Sequence, residues 1–320
     1  GIMREPDVTR VLLRGDPEQP SDKIAPQTPA IFGGAALSDL DEQDRRVKLA
    51  NWIASPDHPL TARVIANRVW QYHFGSGLVD TPSDFGLNGI PPSHPELLDW
   101  LAGKLIDGGW SLKKLHRLIL SSSTYQQSSK VDSRAQSLDA DCRMLWRFPS
   151  RRLEAEAIRD SMLSISGQLN LEMGGPGFDF FKTRGGLSGF PPVEKFDRGS
   201  LRRMIYAHKI RMESVPVFGA FDCPDAGQPM PKRSQSTTAI QALNLFNSPF
   251  VVEQSERFAE RVISEVGESV ERQVELAFKI ALGRKPTDVE QVASSRVARE
   301  HGLGVICRVI FNSNEFLFIP

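Results

Sequence analysis

NWIASPDHPLTARVIANRVWQYHFGSGLVDTPSDFG, Asn51 to Gly86, is the densest run of aromatic, ionisable and helix-boundary residues in the chain. It reads as one buried helix, a tight glycine turn and an acidic loop. Asp57, His58 and Pro59 form a helix start, since a short polar side chain accepts from first-turn amides and proline gives up only an orphan N–H. Gly75 supplies the stop by taking the left-handed conformation that closes many helices. At helical spacing Ala62, Ile65, Ala66, Val69, Trp70 and His73 share one face. The other side mixes Leu60, Val64 and Phe74 with Arg63, Asn67 and Gln71, which follow one another at i, i+4. A helix apolar on both sides is buried, so this polar stripe needs partners inside the protein. Arg63, Asn67 and Gln71 then either line a ligand-binding cleft or tie down neighbouring loops. Guanidinium and carboxamide groups cap loop carbonyls well, which favours the second reading. His73 reads as a satisfied core histidine.

Outward from this stretch the chain keeps helical spacing. Before it, Ser38 to Ala54 carries Leu40, Val47, Leu49, Ala50 and Ile53 as apolar anchors. After it, Ser93 and Glu96 have the spacing of a capping box, ahead of a helix with Leu97, Leu98, Leu101 and Leu105. Ser111 caps the next helix. Arg151 to Ser166 forms another, ended by Gly167. Residues 168 to 199 are rich in Gly and Pro, including Gly174-Gly175-Pro176-Gly177 and Gly185-Gly186, and make the longest loop expected. Arg202 to Arg211 has the composition of a strand. From Thr238 helices return: Ala239 to Asn247, Pro249 to Glu265, Ser269 to Leu282, Asp288 to Glu300 and Val305 to Asn312.

The fold class is therefore mainly α, a multi-helix globular domain with long Gly/Pro-rich loops and a few short strands. Four parts are expected: an extended N-terminal arm over 1–35, a helical core over 36–167 with its central helix at 58–74, a loop-rich insertion over 168–237, and a C-terminal helical part over 238–320 packed on that core. The opening residues read as the end of a connector in something longer.

The 320 residues hold 39 basic and 39 acidic side chains, leaving no electrostatic footprint for nucleic acid. No run approaches the ~20 apolar residues of a membrane-spanning helix. Cys142, Cys223 and Cys307 are far apart and form no CxxC or CxxCH, so neither a haem attachment nor a zinc knuckle is expected. No metal site is expected.

Several stretches carry a family resemblance: HPLTARV and NRVWQYHFG, then SDFG, SHPELLDWLA, GWSLKKLHRLILSSSTYQQSS, RRLEAEAIRDSML and QALNLFNS. LLRGD, PQTPA and the closing NSNEFLFI add to it. Together they resemble a planctomycete C-terminal domain of unknown function, of the DUF1553 or PSD1 type, found with cytochrome-c-like domains in large secreted proteins. The resemblance implies an extracytoplasmic location, periplasmic or at the cell surface, and a redox-associated setting. Haem would sit on a separate cytochrome-like domain, with no cofactor in this chain. The partners implied are the other domains of a longer parent protein and surface polysaccharide. No catalytic residues come with it.

Four clusters could carry chemistry. Asp80 and Asp84, beyond Arg63 and Asn67, suit a sugar, a divalent cation or acid–base work if they converge; as loop acids they also suit turns. His94 lies at the start of a helix between Ser93 and Pro95. Glu154, Glu156, Arg159 and Asp160, with Arg151 and Arg152, make a charge-dense helix whose plain reading is a solvated face with local ion pairs. Phe178, Phe180, Phe181 and Phe190 either meet a sugar ring or a partner, or fold inward as a plug. HExxH, serine-elbow, P-loop and dinucleotide motifs are all missing.

Two functions follow. One is a scaffold or interaction module in a secreted, redox-associated protein, related to surface polysaccharide. The alternative is a carbohydrate-directed hydrolase or oxidoreductase with a site around Arg63, Asn67, Asp80, Asp84 and His94.

Overall fold

The computed structural model describes residues 7–34, 36–183, 185, 189–215 and 217–319. The first six residues of the expected arm, Ala35 and Gly186 lie outside them. Thirteen α-helices and two small two-stranded sheets occur among the described residues, a mainly α protein. The chain divides into two compact units, Gly1–Phe148 and Pro149–Pro320. The helix around Arg159 therefore belongs with the C-terminal helices.

The first unit opens with a hairpin of β1 (Arg10–Leu12) and β2 (Pro20–Lys23), where Arg10 pairs with Lys23 and Leu12 with Pro20. Helix α1 (Glu42–Ile53) starts on Asp41, whose carboxylate accepts from Asp44 N–H. Helix α2 (Thr61–Phe74) is the expected central helix, begun three residues late. His58 explains the shift: its Nδ1 accepts from the N–H groups of Leu60 and Thr61, both at 3.2 Å, so the imidazole caps the helix from outside it. Gly75, at φ 84°, closes it as expected. Helices α3 (Pro95–Asp107) and α4 (Leu112–Leu120) pack on α2, and the short α5 (Ser123–Gln126) and α6 (Ser133–Leu138) follow.

Leu98, Leu101, Leu105, Leu115 and Ile119 bury with Ala62, Ala66, Val69, Trp70 and Phe74 of α2. Tyr125 and Phe148 add edge-on ring contacts around Phe74. Half-buried His73 meets His116 through Nε2 and Nδ1 at 2.7 Å. The capping box expected at Ser93 and Glu96 is not formed. His94 is the residue that flanks α3, with no side-chain cap, and Ser93 turns its N–H to the Leu78 carbonyl instead, at 2.8 Å.

In the second unit Arg151 and Arg152, expected inside a helix, form β3 (Arg151–Arg152), because their backbone pairs with β4 (Phe318–Ile319) at the far end of the chain. Helix α7 (Ala155–Ile165) follows. The described residues among 168–237 stay irregular apart from two short 3-10 turns. One of them, Met204–Tyr206, replaces the strand expected over 202–211; only single bridges, Asn170 to Arg202 and Phe178 to Ala207, mark extended pairing there.

The C-terminal helices are α8 (Ala239–Asn247), α9 (Pro249–Val266), α10 (Val270–Leu282), α11 (Asp288–His301), α12 (Leu303–Phe311) and α13 (Asn314–Leu317), each near its expected limits where one was expected. Thr238 with Gln241 and Thr287 with Glu290 make two complete capping boxes. Phe258 of α9 stacks on Phe311 of α12 at 5.8 Å, in a core that also takes in Ile158 and Met162 of α7.

Candidate functional site

Asn67 is fully buried in the middle of α2. Its Nδ2 donates to the Val79 carbonyl at 2.9 Å and its Oδ1 accepts from the Val79 N–H at 2.8 Å. The side chain thus stands in for a β-partner and fixes the loop after Gly75. Gly77 packs so closely that a Cβ there would lie 2.8 Å from the Asn67 amide. Gln71, one turn further, is half-buried.

One turn earlier, Arg63 donates from Nε to Asp99 of α3 at 2.6 Å and from Nη1 to the Pro59 carbonyl at 2.6 Å. The Arg63 hydrogen bond is the main cause that holds the Asp99 carboxyl below its usual range. Beside this pair opens a cleft of about 590 Å³, walled by Leu60, Phe85, Leu87, Ile90 and the prolines at 59, 91, 92 and 95. Arg63 and Asp99 are its ionisable lining residues.

The other expected site residues fall elsewhere. Asp84 is a turn former: its Oδ1 accepts from Gly86 N–H at 2.8 Å, and its carbonyl accepts from the Thr81 hydroxyl at 2.7 Å. Asp80 is half-buried, 3.9 Å from Arg143. His94 contacts the Ser93 hydroxyl through Nδ1 at 2.9 Å. Of the five residues of the enzymatic reading, the cleft lining includes Arg63 and not Asn67, Asp80, Asp84 or His94. Asp99 was missed because it sits on the exposed side of α3, where an acid is the ordinary surface choice.

The charge-dense helix is not the solvated face expected. Arg159 is fully buried on α7, donating to the Arg202 carbonyl at 2.7 Å and the Ser200 carbonyl at 2.8 Å. Its guanidinium lies over Phe178, Phe180, Phe196 and Phe250, at 5.0–5.8 Å from the ring centres. Burial pushes its pKa down to about 10, against the pull of neighbouring Asp160. Burial likewise raises the Asp160 carboxyl, which accepts from Met204 N–H at 2.8 Å. Phe178, Phe180 and Phe181 are buried, so the aromatic loop is an inward plug.

Two further networks hold the irregular segment. Arg152 reaches Asp222 at 2.6 Å, Gln241 at 3.0 Å and the Ser236 carbonyl. Asp222 also accepts from the Ser236 N–H and hydroxyl, at 2.8 and 2.9 Å. Burial pushes the Asp222 carboxyl up, but the Ser236 and Arg152 hydrogen bonds outweigh it and leave the group below its usual range. The capping-box spacing of Thr238 and Gln241 was the available signal for this network. The second network joins Glu156 to Arg233 at 2.5 Å and to Lys209 at 3.8 Å, with Cys223 beside Lys209. Nothing in linear spacing announces it. Among the described residues no group of three or more His, Cys, Asp and Glu side chains could hold a metal ion.

No curated protein and no solved structure matches the chain. The family described as "Protein of unknown function (DUF1553)", PSD1, matches residues 45–298, from within α1 into α11. That span takes in the Asn67-pinned loop, the cleft and the arginine networks alike, and the chain belongs to the PSD1 (DUF1553) family.

Proposed function

We propose that this chain is a scaffold and interaction module of a secreted, extracytoplasmic protein, and that the cleft beside α2 takes a neutral surface polysaccharide. The observation that carries the reading is the make-up of the cleft: an apolar wall ending in one Arg–Asp pair, without a second carboxylate in the lining. Sugar rings present C–H faces and hydroxyl edges together. Phe85 and Leu87 suit the first, and the half-exposed Asp99 and Arg63 suit the second. Glycoside hydrolysis needs two carboxyl groups facing one bond, and this lining offers a single acid already paired with arginine.

In this reading the redox chemistry of the parent protein resides on a separate haem-bearing domain, and this chain brings that domain to the polysaccharide. Affinity gel electrophoresis against neutral β-glucans and chitin fragments tests it. Retarded migration of the wild-type chain, lost in Asp99→Ala and retained in Asp84→Asn, is the expected result. Unchanged mobility of the wild-type chain in every polysaccharide gel, or equal retardation of Asp99→Ala, would overturn the ligand assignment.

A further inference from the structure

Cys223 lies on the irregular segment between α7 and α8 and is 7% exposed. Its Sγ is 2.7 Å from Lys209 Nζ. Sulfur is larger than oxygen, yet this separation is one normally kept by oxygen pairs in a hydrogen bond. It is short for a nitrogen resting against sulfur and suits a nitrogen and a sulfur that share one bridging oxygen. Glu156 completes the cluster, with Oε1 3.8 Å from both Sγ and Nζ. Arg233 fixes the other carboxylate oxygen at 2.5 Å. The side chains of Lys209, Glu156 and Arg233 are each partly open to solvent, so a small oxidant reaches the buried thiol past them.

We propose that Cys223 and Lys209 are a peroxide-modifiable pair that closes into a covalent Sγ–O–Nζ bridge. Hydrogen peroxide is the oxidant, and two equivalents are consumed. The Cys223 sulfur attacks the first peroxide: the S–O bond forms, the O–O bond breaks, and water leaves behind a sulfenic acid. Glu156, the acceptor in reach of the thiol, takes its proton and hands it to the departing hydroxide, which leaves as that water and returns the carboxylate to its ionised form. The Lys209 amine, having lost its extra proton by way of the same carboxylate, attacks the second peroxide and becomes a hydroxylamine as a second water leaves. The hydroxylamine oxygen then displaces the sulfenic hydroxyl from sulfur, releasing a third water. Thiol, amine and two peroxides thus give one S–O–NH link and three waters, with the sulfur–nitrogen pair losing four electrons.

The surroundings suit a switch that stays off until oxidant is in excess. Burial is the main cause raising the Cys223 thiol, with Glu156 adding to it and Lys209 opposing. The thiolate that attacks peroxide is therefore scarce at rest. For Glu156 burial also pushes upward, but Arg233, the backbone and Lys209 more than reverse it, so the carboxylate stays ionised and ready to take a proton. The other two thiols serve as internal controls. Cys307 is fully buried in α12, and Cys142 donates to the Arg147 carbonyl at 3.3 Å. Closing the bridge would tie the irregular stretch after Met204–Tyr206 to the turn that carries Asp222.

The test treats the whole chain with hydrogen peroxide, alkylates the remaining thiols and maps peptides by mass spectrometry. The expected product is one joined peptide pair, Lys209 with Cys223, heavier than its parts by one oxygen less two hydrogens and split again by dithiothreitol. In Lys209→Arg, which keeps the cation but not the primary amine, Cys223 should stop at the sulfenic acid and no joined pair should form. Three results would each overturn the proposal: Cys223 oxidised with Lys209 still a free amine, a pair lighter by two hydrogens only, or an unmodified Cys223 while the controls react. Because the wild-type map decides the matter, a poorly folding variant would not obscure it.

Discussion

Helices α2 and α7 each bury one polar side chain completely, Asn67 in the first unit and Arg159 in the second, and each uses it to hold a loop. The chemistry differs. Asn67 meets both the N–H and the C=O of one residue, Val79, and a carboxamide supplies one donor and one acceptor to match. The amide is neutral, so its burial carries only the cost of a polar group hydrogen-bonded at both its oxygen and its nitrogen. Arg159 meets acceptors alone, the carbonyls of Ser200 and Arg202 and, at 3.5 Å, the Asp160 carboxylate, and only a donor-rich group can serve them all. Its positive charge then loses water, and aromatic faces and Asp160 replace that hydration only in part, as the depressed pKa shows. The shape of the loop therefore chooses the residue: a backbone returning alongside the helix asks for an amide, and one passing with carbonyls toward it asks for a cation.

The contrast predicts unequal losses. Arg159→Ala should be the most damaging single change in the second unit, at ~3–5 kcal/mol, since it strands two carbonyls and Asp160 and empties the space among four rings. Asn67→Ala strands one N–H and one C=O and should cost about 2–3 kcal/mol. Urea melts of both variants check the order. An Asn67→Ala loss equal to or above that of Arg159→Ala would break the comparison.

Much of this was readable in advance, for physical reasons. The 3.6-residue spacing of Ala62, Ala66, Val69 and Trp70 and the stop at Gly75 depend on neighbours in sequence, so they place α2; the C-terminal helices follow in the same way. Asn67 as a loop-fixing residue was also legible, because a polar group on a buried helix must find a partner. The partners themselves were not. Arg63 meets Asp99 across 36 residues and Arg152 meets Gln241 across 89, and no periodicity carries that information. The plain reading of α7 failed because charges at helical spacing look alike whether solvent or a folded loop covers them. Arg151 and Arg152 left the helix for β3 because chain 166 residues downstream pairs with their backbone, a long-range override of local preference. His58 was placed correctly at a helix start, but as part of the helix, whereas its ring acts from outside.

The network that anchors the irregular segment should respond to acid. Asp222 is held below its usual carboxylate range in the folded chain. Its stabilisation is therefore fully present above the unfolded value near 4 and is lost as pH falls through the lower folded value. Asp222→Asn should cost about 1–2 kcal/mol at neutral pH, because the charge that meets Arg152 disappears while part of the hydrogen bonding persists. As pH falls below the unfolded value near 4, the wild-type and variant melting temperatures should converge while the wild-type carboxylate takes its proton. A gap that stays constant across this range would mean that the Asp222 charge plays no part in holding the segment, and that shape alone does.

The smallest effect should come from the pair at the cleft. Arg63 and Asp99 are joined at 2.6 Å, but their side chains are 38% and 57% exposed, so solvent screens the attraction. A double-mutant cycle of Arg63→Ala, Asp99→Ala and both together should give a coupling of about 0.2–1 kcal/mol that shrinks as salt is raised. The single variants should not be equal. Asp99→Ala leaves Arg63 donating to the Pro59 carbonyl at 2.6 Å, whereas Arg63→Ala removes that bond as well, so Arg63→Ala should be the less stable. A salt-insensitive coupling above about 2 kcal/mol would instead place the pair with Arg159 and Asn67, as part of the frame. Its role would then be to brace α2 against α3, leaving the apolar wall without a polar edge to orient a sugar. A weak, screened coupling keeps the pair free to exchange partners, which is what a surface that binds hydroxyl groups requires.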